Sequence, residues 1–141
     1  MAGWQWDKGL RIVTSDAVPR FLIVDDDAAV AGTLGRMLEV AGHEVTLANS
    51  AEAGLDVARQ SPPDAVIVDL RMPVVTGVEF LRRVRNDPSL RELPVALVTG
   101  DYFLDDALLA EIHALGATVR YKPLWLEDVI NLANTLIEPK G

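Results

Sequence analysis

The sequence predicts an α/β domain built on a five-stranded, parallel, doubly wound sheet with five helices. Three observations predict it. Five short apolar runs recur along the chain, each is followed by a longer segment with helical spacing, and the two kinds alternate strictly. The result is βαβαβαβαβα over residues 19–139. Every intervening segment is long enough to cross between parallel strands.

The first run, 21–24, is Phe21-Leu22-Ile23-Val24, and three aspartates follow it. Val30, Leu34, Met37, Leu38 and Ala41 then recur on one helix face, with Gly42 as a stop. Asp27 alone reads as an ordinary helix start. The second run, 45–48, leads into a helix over 50–60 with Leu55 and Ala58 inward; Asn49 and Glu52 have capping-box spacing. Pro62 and Pro63 break the chain before the third run, 65–68. Val78, Leu81 and Val84 mark the third helix, with Phe80 and Leu81 in the core. Asn86, Asp87 and Pro88 end it. Its Arg82, Arg83 and Arg85 read as a solvated basic face, and His43 and His113 as surface or loop residues. The fourth run, 95–98, precedes a helix marked by Leu104, Leu108 and Ile112 and stopped near Gly116. The fifth, 118–121, precedes one marked by Leu126, Val129, Ile130, Ala133 and Ile137. Residues 1–18 fall outside the pattern, as an extension of unknown role carrying Trp4 and Trp6.

Composition narrows the function classes. The 141 residues carry 13 Lys and Arg against 21 Asp and Glu, a formal net charge of −8. Surfaces that neutralise nucleic-acid phosphates or anionic lipids are basic, so neither partner is expected for this domain. There is no cysteine, hence no disulfide framework, thiolate nucleophile or zinc ribbon. No apolar run is long enough for a membrane helix, and the N-terminus lacks the apolar stretch of a signal peptide. A soluble, cytoplasmic single domain is the expectation.

Ligands of open α/β sheets bind beyond the carboxyl ends of the strands. Asp25 and Asp26 stand there after the first strand, Asp69 at the third, Thr99 and Gly100 after the fourth, and Lys122 and Pro123 after the fifth. If strands one and three are neighbours, Asp25, Asp26 and Asp69 converge and repel. A hard divalent cation resolves that repulsion, and oxygen ligands without histidine or cysteine point to Mg²⁺. Lys122 is the only lysine inside the predicted domain, since Lys8 and Lys140 lie in the termini. Its ammonium and the Thr99 hydroxyl suit phosphoryl oxygens.

Asp25-Asp26, Asp69-Leu70-Arg71-Met72-Pro73, Val98-Thr99-Gly100 and Lys122-Pro123 resemble the receiver domain of bacterial two-component response regulators. The resemblance implies a flavodoxin-like sheet in the order 2-1-3-4-5. It implies that Asp69 accepts a phosphoryl group from the phosphohistidine of a sensor histidine kinase or a phosphotransfer protein. Asp26 and Asp69 would hold Mg²⁺ directly, Asp25 mostly through water, and the backbone carbonyl of Arg71 would complete the protein ligands. Thr99 and Lys122 would bind phosphoryl oxygens, Lys122–Pro123 would be cis, and Gly77 would let the loop after Asp69 close into the third helix. Arg71 and Asp101 flank the opening with opposite charges and would tune the loss of phosphate. Such a protein catalyses its own phosphorylation and dephosphorylation and is not a turnover enzyme. It would signal to an output protein, or to an output domain absent from this chain, through the face of helix 4, strand 5 and helix 5. Homodimer formation stays open.

One departure from the family pattern stands out. Receivers usually carry an aromatic three positions before the lysine, where this chain has Val119. Tyr121 shares its strand parity but directly precedes Lys122. The switch would therefore run through Val119 or a change of Tyr121 rotamer. Two rivals remain: a pseudo-receiver that serves only as a scaffold, and a haloacid-dehalogenase-like phosphatase with Asp25 as nucleophile. The second would leave Asp69-Leu70-Arg71-Met72-Pro73 without a role.

Overall fold

The computed structural model describes residues 18–138. Apart from Val18, the extension assigned to 1–18 lies outside the described residues, as does residue 139. In chain order the elements are β1 (Arg20–Val24), α1 (Ala28–Val40), β2 (Glu44–Ala48), α2 (Ala51–Gln60) and β3 (Ala65–Asp69). Then follow α3 (Gly77–Asn86), β4 (Val95–Thr99), α4 (Asp106–Ala114), β5 (Thr118–Tyr121) and α5 (Leu126–Ile137). All strand pairs are parallel, and the order is β2-β1-β3-β4-β5, as the resemblance implied.

The continuous apolar runs are explained by burial on both faces. Alternate residues of the three central strands, β1, β3 and β4, enter two separate cores. Leu22, Val24, Val66, Val68 and Leu97 face α2 and α3, where Leu55, Phe80, Leu81 and Val84 meet them. Phe21, Ile23, Ile67, Ala96 and Val98 face α1 and α5, against Leu34, Leu38, Val129 and Leu132. Burying one such large side chain stabilises the fold by about 1.5–3 kcal/mol, so a sheet covered twice is strongly held in register. β1, β3 and β4 end as a fixed platform.

The helix starts are set by side-chain acceptors. Asp27 caps α1 by accepting from the amides of Ala29 and Val30, which agrees with its reading as a helix start. The cap of α2 is Ser50, whose Oγ accepts from Ala53 at 3.1 Å. The Asn49–Glu52 spacing is thus one residue out of register. Thr76 caps α3 and Asp105 caps α4, so Leu104 precedes the fourth helix and packs on the core from its lead-in loop.

Two other expectations are corrected. The arginines of α3 are not simply solvated. Arg82 forks onto Glu111 of α4 at 2.6 and 2.8 Å, and Arg83 pairs with Glu79 at 3.0 Å. Arg85 is half-buried and donates to the carbonyls of Leu115, Leu93 and Arg91. His43 does lie in the loop between α1 and β2, but it is not an ordinary surface residue. Its ring lies 4.9 Å from that of Phe21, its Nδ1 is buried without a hydrogen-bond partner, and burial lowers its pKa.

Candidate functional site

The strand order reverses between β1 and β3, since β1 connects onward to β2 on one side and β3 to β4 on the other. That switch point opens a crevice at the carboxyl ends. Val24 lies opposite Val68 across the β1–β3 pair, so Asp25 and Asp69 leave adjacent strands at one level. Ligand oxygens of Asp25, Asp26 and Asp69 all lie within 4.8 Å of one another. The convergence expected from the sequence is therefore present. Asp25 is only 3% exposed. Its amide donates to the Ala48 carbonyl at 3.0 Å and its Oδ1 accepts from the Asp27 amide at 2.9 Å, which fixes it at the crevice floor. Asp26 is exposed and Asp69 buried.

Lys122 closes the cluster from the β5 side. Its Nζ lies 3.0 Å from Asp69 Oδ1 and 3.4 Å from Asp25 Oδ2. Burial raises the pKa of Asp69, and the negative fields of Asp25 and Asp26 push it further; Lys122 opposes both and does not cancel them. Burial also works against the Lys122 ammonium, but the bond to Asp69 and the attraction of both acids leave its pKa raised. One ammonium against three carboxylates leaves a net negative crevice, which a cation would relieve. The donor set is all oxygen and sits at a concave strand end, so the residues fit Mg²⁺.

Thr99 ends β4 fully buried. Its Oγ1 accepts from the Asp101 amide at 3.0 Å, and its carbonyl accepts from the Lys122 amide at 2.8 Å. Arg71 and Asp101 meet across the opening, with Nη2 to Oδ2 at 2.5 Å. The Lys122–Pro123 bond is cis. Gly77 is required for a reason other than the turn freedom expected from the sequence. A Cβ there would lie 2.5 Å from the Asp69 carbonyl oxygen and 2.9 Å from Leu70 Cα, so only glycine lets α3 begin against the Asp69 backbone. The Gly77 amide also donates to the Leu70 carbonyl at 3.0 Å.

Val119 is half-buried against the α2–α3 core, and Tyr121 is exposed beside Tyr102. Two residues that sequence motifs did not mark belong to the surroundings of the site. Tyr102 reaches the Lys122 carbonyl with its hydroxyl; its place in the loop just after Thr99-Gly100 was the available signal. Val74, in the loop from Asp69 to α3, has φ 68° and is 97% exposed. A β-branched residue there is strained by about 1–3 kcal/mol, and nothing in its sequence context announces it. Next to the site an apolar cleft of about 360 Å³ runs between α1 and the β5–α5 loop, lined by Val30, Met37, Val98, Pro123 and Leu124, with Lys122 at its edge.

Comparison with known proteins agrees with this geometry. The family model for the response regulator receiver domain matches residues 21–123. The transcriptional regulatory protein PrrA of Mycobacterium leprae is 32% identical over 128 residues, covering 91% of this chain and 54% of that protein. The response regulator MprA of Mycolicibacterium vanbaalenii is 32% identical, over 84% of this chain and 50% of that protein. The chain thus spans about half the length of these curated relatives. Among solved structures, the chemotaxis protein CheY4 of Vibrio cholerae superposes with a TM-score of 0.78 at 28% identity, over 85% of this chain and 99% of that one. A receiver domain protein from Clostridium thermocellum gives 0.75 at 29% identity, over 85% and 94%. Fold, strand-end acids and family match coincide, and the chain belongs to the response regulator receiver domain family.

Proposed function

We propose that Asp69 is the phosphoacceptor of a two-component signalling protein. The observation that carries this reading is the meeting of Asp25, Asp26 and Asp69 in one crevice, with the Lys122 ammonium 3.0 Å from Asp69. A carboxylate oxygen of Asp69 forms the new bond to phosphorus. The phosphorus–nitrogen bond of a phosphohistidine donor breaks, and its electron pair stays on the imidazole. Phosphoryl transfer needs alignment and charge neutralisation more than covalent assistance, and the residues supply both. Asp26, Asp69 and the Arg71 carbonyl would hold Mg²⁺, with Asp25 acting mostly through water. When bound, Mg²⁺ supplies positive charge opposite the phosphoryl oxygens. Lys122 and Thr99 bind those oxygens from the β4–β5 side. The Arg71–Asp101 pair covers the opening and slows attack of water on the acyl phosphate.

The donor is a sensor histidine kinase or a phosphotransfer protein, and the apolar cleft beside Lys122 gives such a partner a place to rest. The output partner, or an output domain outside this chain, reads the α4–β5–α5 face. The relatives' greater length supports the second form. Residues 19–139 form the receiver and 1–18 an extension, and the cytoplasm is where kinase and receiver meet. No described helix is long and apolar enough to cross a membrane. The protein acts on itself and turns over no separate substrate.

Incubation with Mg²⁺ and acetyl phosphate tests the reading. Wild type is expected to gain the mass of one phosphoryl group and Asp69→Asn none. Labelling of both would remove Asp69 from the role, and failure of wild type to label or to bind beryllofluoride would favour a scaffold.

A further inference from the structure

Tyr102 joins the two loops that carry Thr99 and Lys122. Its hydroxyl donates to the backbone carbonyl of Lys122, and its ring rests on Tyr121 with centroids 5.5 Å apart and planes tilted by 43°. One residue back, the Asp101 amide donates to Thr99 Oγ1 at 3.0 Å. The Asp101 carboxylate accepts from the Phe103 amide at 2.9 Å, which shapes the loop around Tyr102. The circuit closes where the Lys122 amide donates to the Thr99 carbonyl at 2.8 Å. Val119 has no polar side-chain atom and lies against the α2–α3 core, so it cannot take part in this circuit. An aromatic–aromatic contact adds to the hydrogen bond a preferred geometry between the two loops.

We propose that Tyr102 is a positioning residue that holds the Lys122 loop to the Thr99 loop and passes the state of Thr99 to the surface at Tyr121. The role rests on the reading of Asp69 as phosphoacceptor. A phosphoryl group on Asp69 takes the Thr99 hydroxyl as donor. Thr99 Oγ1 then leaves the Asp101 amide or draws that amide with it. Either motion displaces the next residue, Tyr102, relative to the Lys122 carbonyl and the Tyr121 ring. The aromatic pair that receives the displacement is open to solvent: Tyr102 is 57% and Tyr121 37% exposed. A small movement at a buried threonine is thereby converted into a change of exposed aromatic side chains, which is the kind of two-state element a switch requires.

The chain has two tyrosines, and they are these two. Fluorine NMR of the full chain labelled with fluorotyrosine therefore gives two lines, assigned through Tyr102→Phe and Tyr121→Phe. Each sample is treated with Mg²⁺ and acetyl phosphate, and its mass is measured in parallel. In wild type one phosphoryl group is gained and both lines move. Tyr102→Phe keeps the ring, loses the hydroxyl and still gains the phosphoryl group, but its Tyr121 line loses most of its shift. Val119→Ala leaves both shifts in place. An undiminished Tyr121 shift in phosphorylated Tyr102→Phe overturns the proposal, as do static lines in phosphorylated wild type. A Val119→Ala variant that alone abolishes the shift transfers the role to Val119. If wild type gains no phosphoryl group, the phosphoacceptor reading itself fails and Tyr102 has nothing to relay.

Discussion

α3 and α4 both spring from the loops of the site, yet they are fastened by different physics. α3 begins against the Asp69 backbone and buries Gly77, Val78, Phe80, Leu81 and Val84. α4 follows the Thr99 loop, is nearly as long, and buries only Ile112. What α4 lacks in apolar contact is replaced by α3: the Arg82 fork on Glu111 and the Arg85 bond to the Leu115 carbonyl at 2.6 Å, one helical turn apart. Apolar burial is insensitive to salt and resists sliding, because close-packed side chains admit few arrangements. Exposed ion pairs are screened and contribute little each. The helix after Asp69 is therefore a fixed reference, and the helix after Thr99 is the one a small force can move.

The strongest way to break this contrast is to empty the α3 anchor. Phe80→Ala is expected to cost about 3–5 kcal/mol in denaturant unfolding, the range for a large buried aromatic. A loss below ~1 kcal/mol would show that α3 is not the rigid partner. Next comes Arg85→Met, which keeps the stem and strands three carbonyl acceptors with reduced hydrogen bonding. A cost of about 1–3 kcal/mol is expected from lost charge-assisted bonds. Hydrogen exchange should quicken at the end of α4 before it does in α3, and equal acceleration in both would contradict the assignment.

The smallest effect belongs to the Arg82–Glu111 pair. Glu111→Gln should leave global unfolding almost unchanged while α4 amides exchange faster, and added salt should narrow the difference from wild type. Its pH dependence has a definite sign. The hydrogen bond and charge of Arg82 hold the Glu111 pKa below its unfolded value of 4.5, and Arg83 and Arg82 do the same for Glu79. The contribution is complete above pH 4.5 and is lost as pH falls through the folded pKa values. The α4 exchange rates of wild type and Glu111→Gln should therefore converge in acid, and a gap that widens there would be inconsistent with the pair.

The contrast also explains what the sequence made legible. Strands buried on both faces leave continuous apolar runs, and Asp25, Asp26, Asp69, Thr99 and Lys122 stand just past those runs, so the sheet and the acid cluster could both be read. Side chains that reach between elements left no such trace. Arg82 and Arg85 looked like a solvated face because their acceptors on α4, Glu111 and the Leu115 carbonyl, lie about 30 residues away. Tyr102 was invisible for the same reason, since its partner is a backbone carbonyl that any residue could present. At Gly77 the steric demand comes from the Asp69 carbonyl, which sequence spacing does not reveal.

The central claim is that Asp69, alone among the three clustered acids, carries the phosphoryl group. Protein treated with Mg²⁺ and acetyl phosphate, reduced with borohydride and mapped by peptide sequencing should contain homoserine at position 69 and unmodified aspartate at 25 and 26. Homoserine at position 25 or 26, with Asp69 intact in protein that has gained a phosphoryl group, would contradict it.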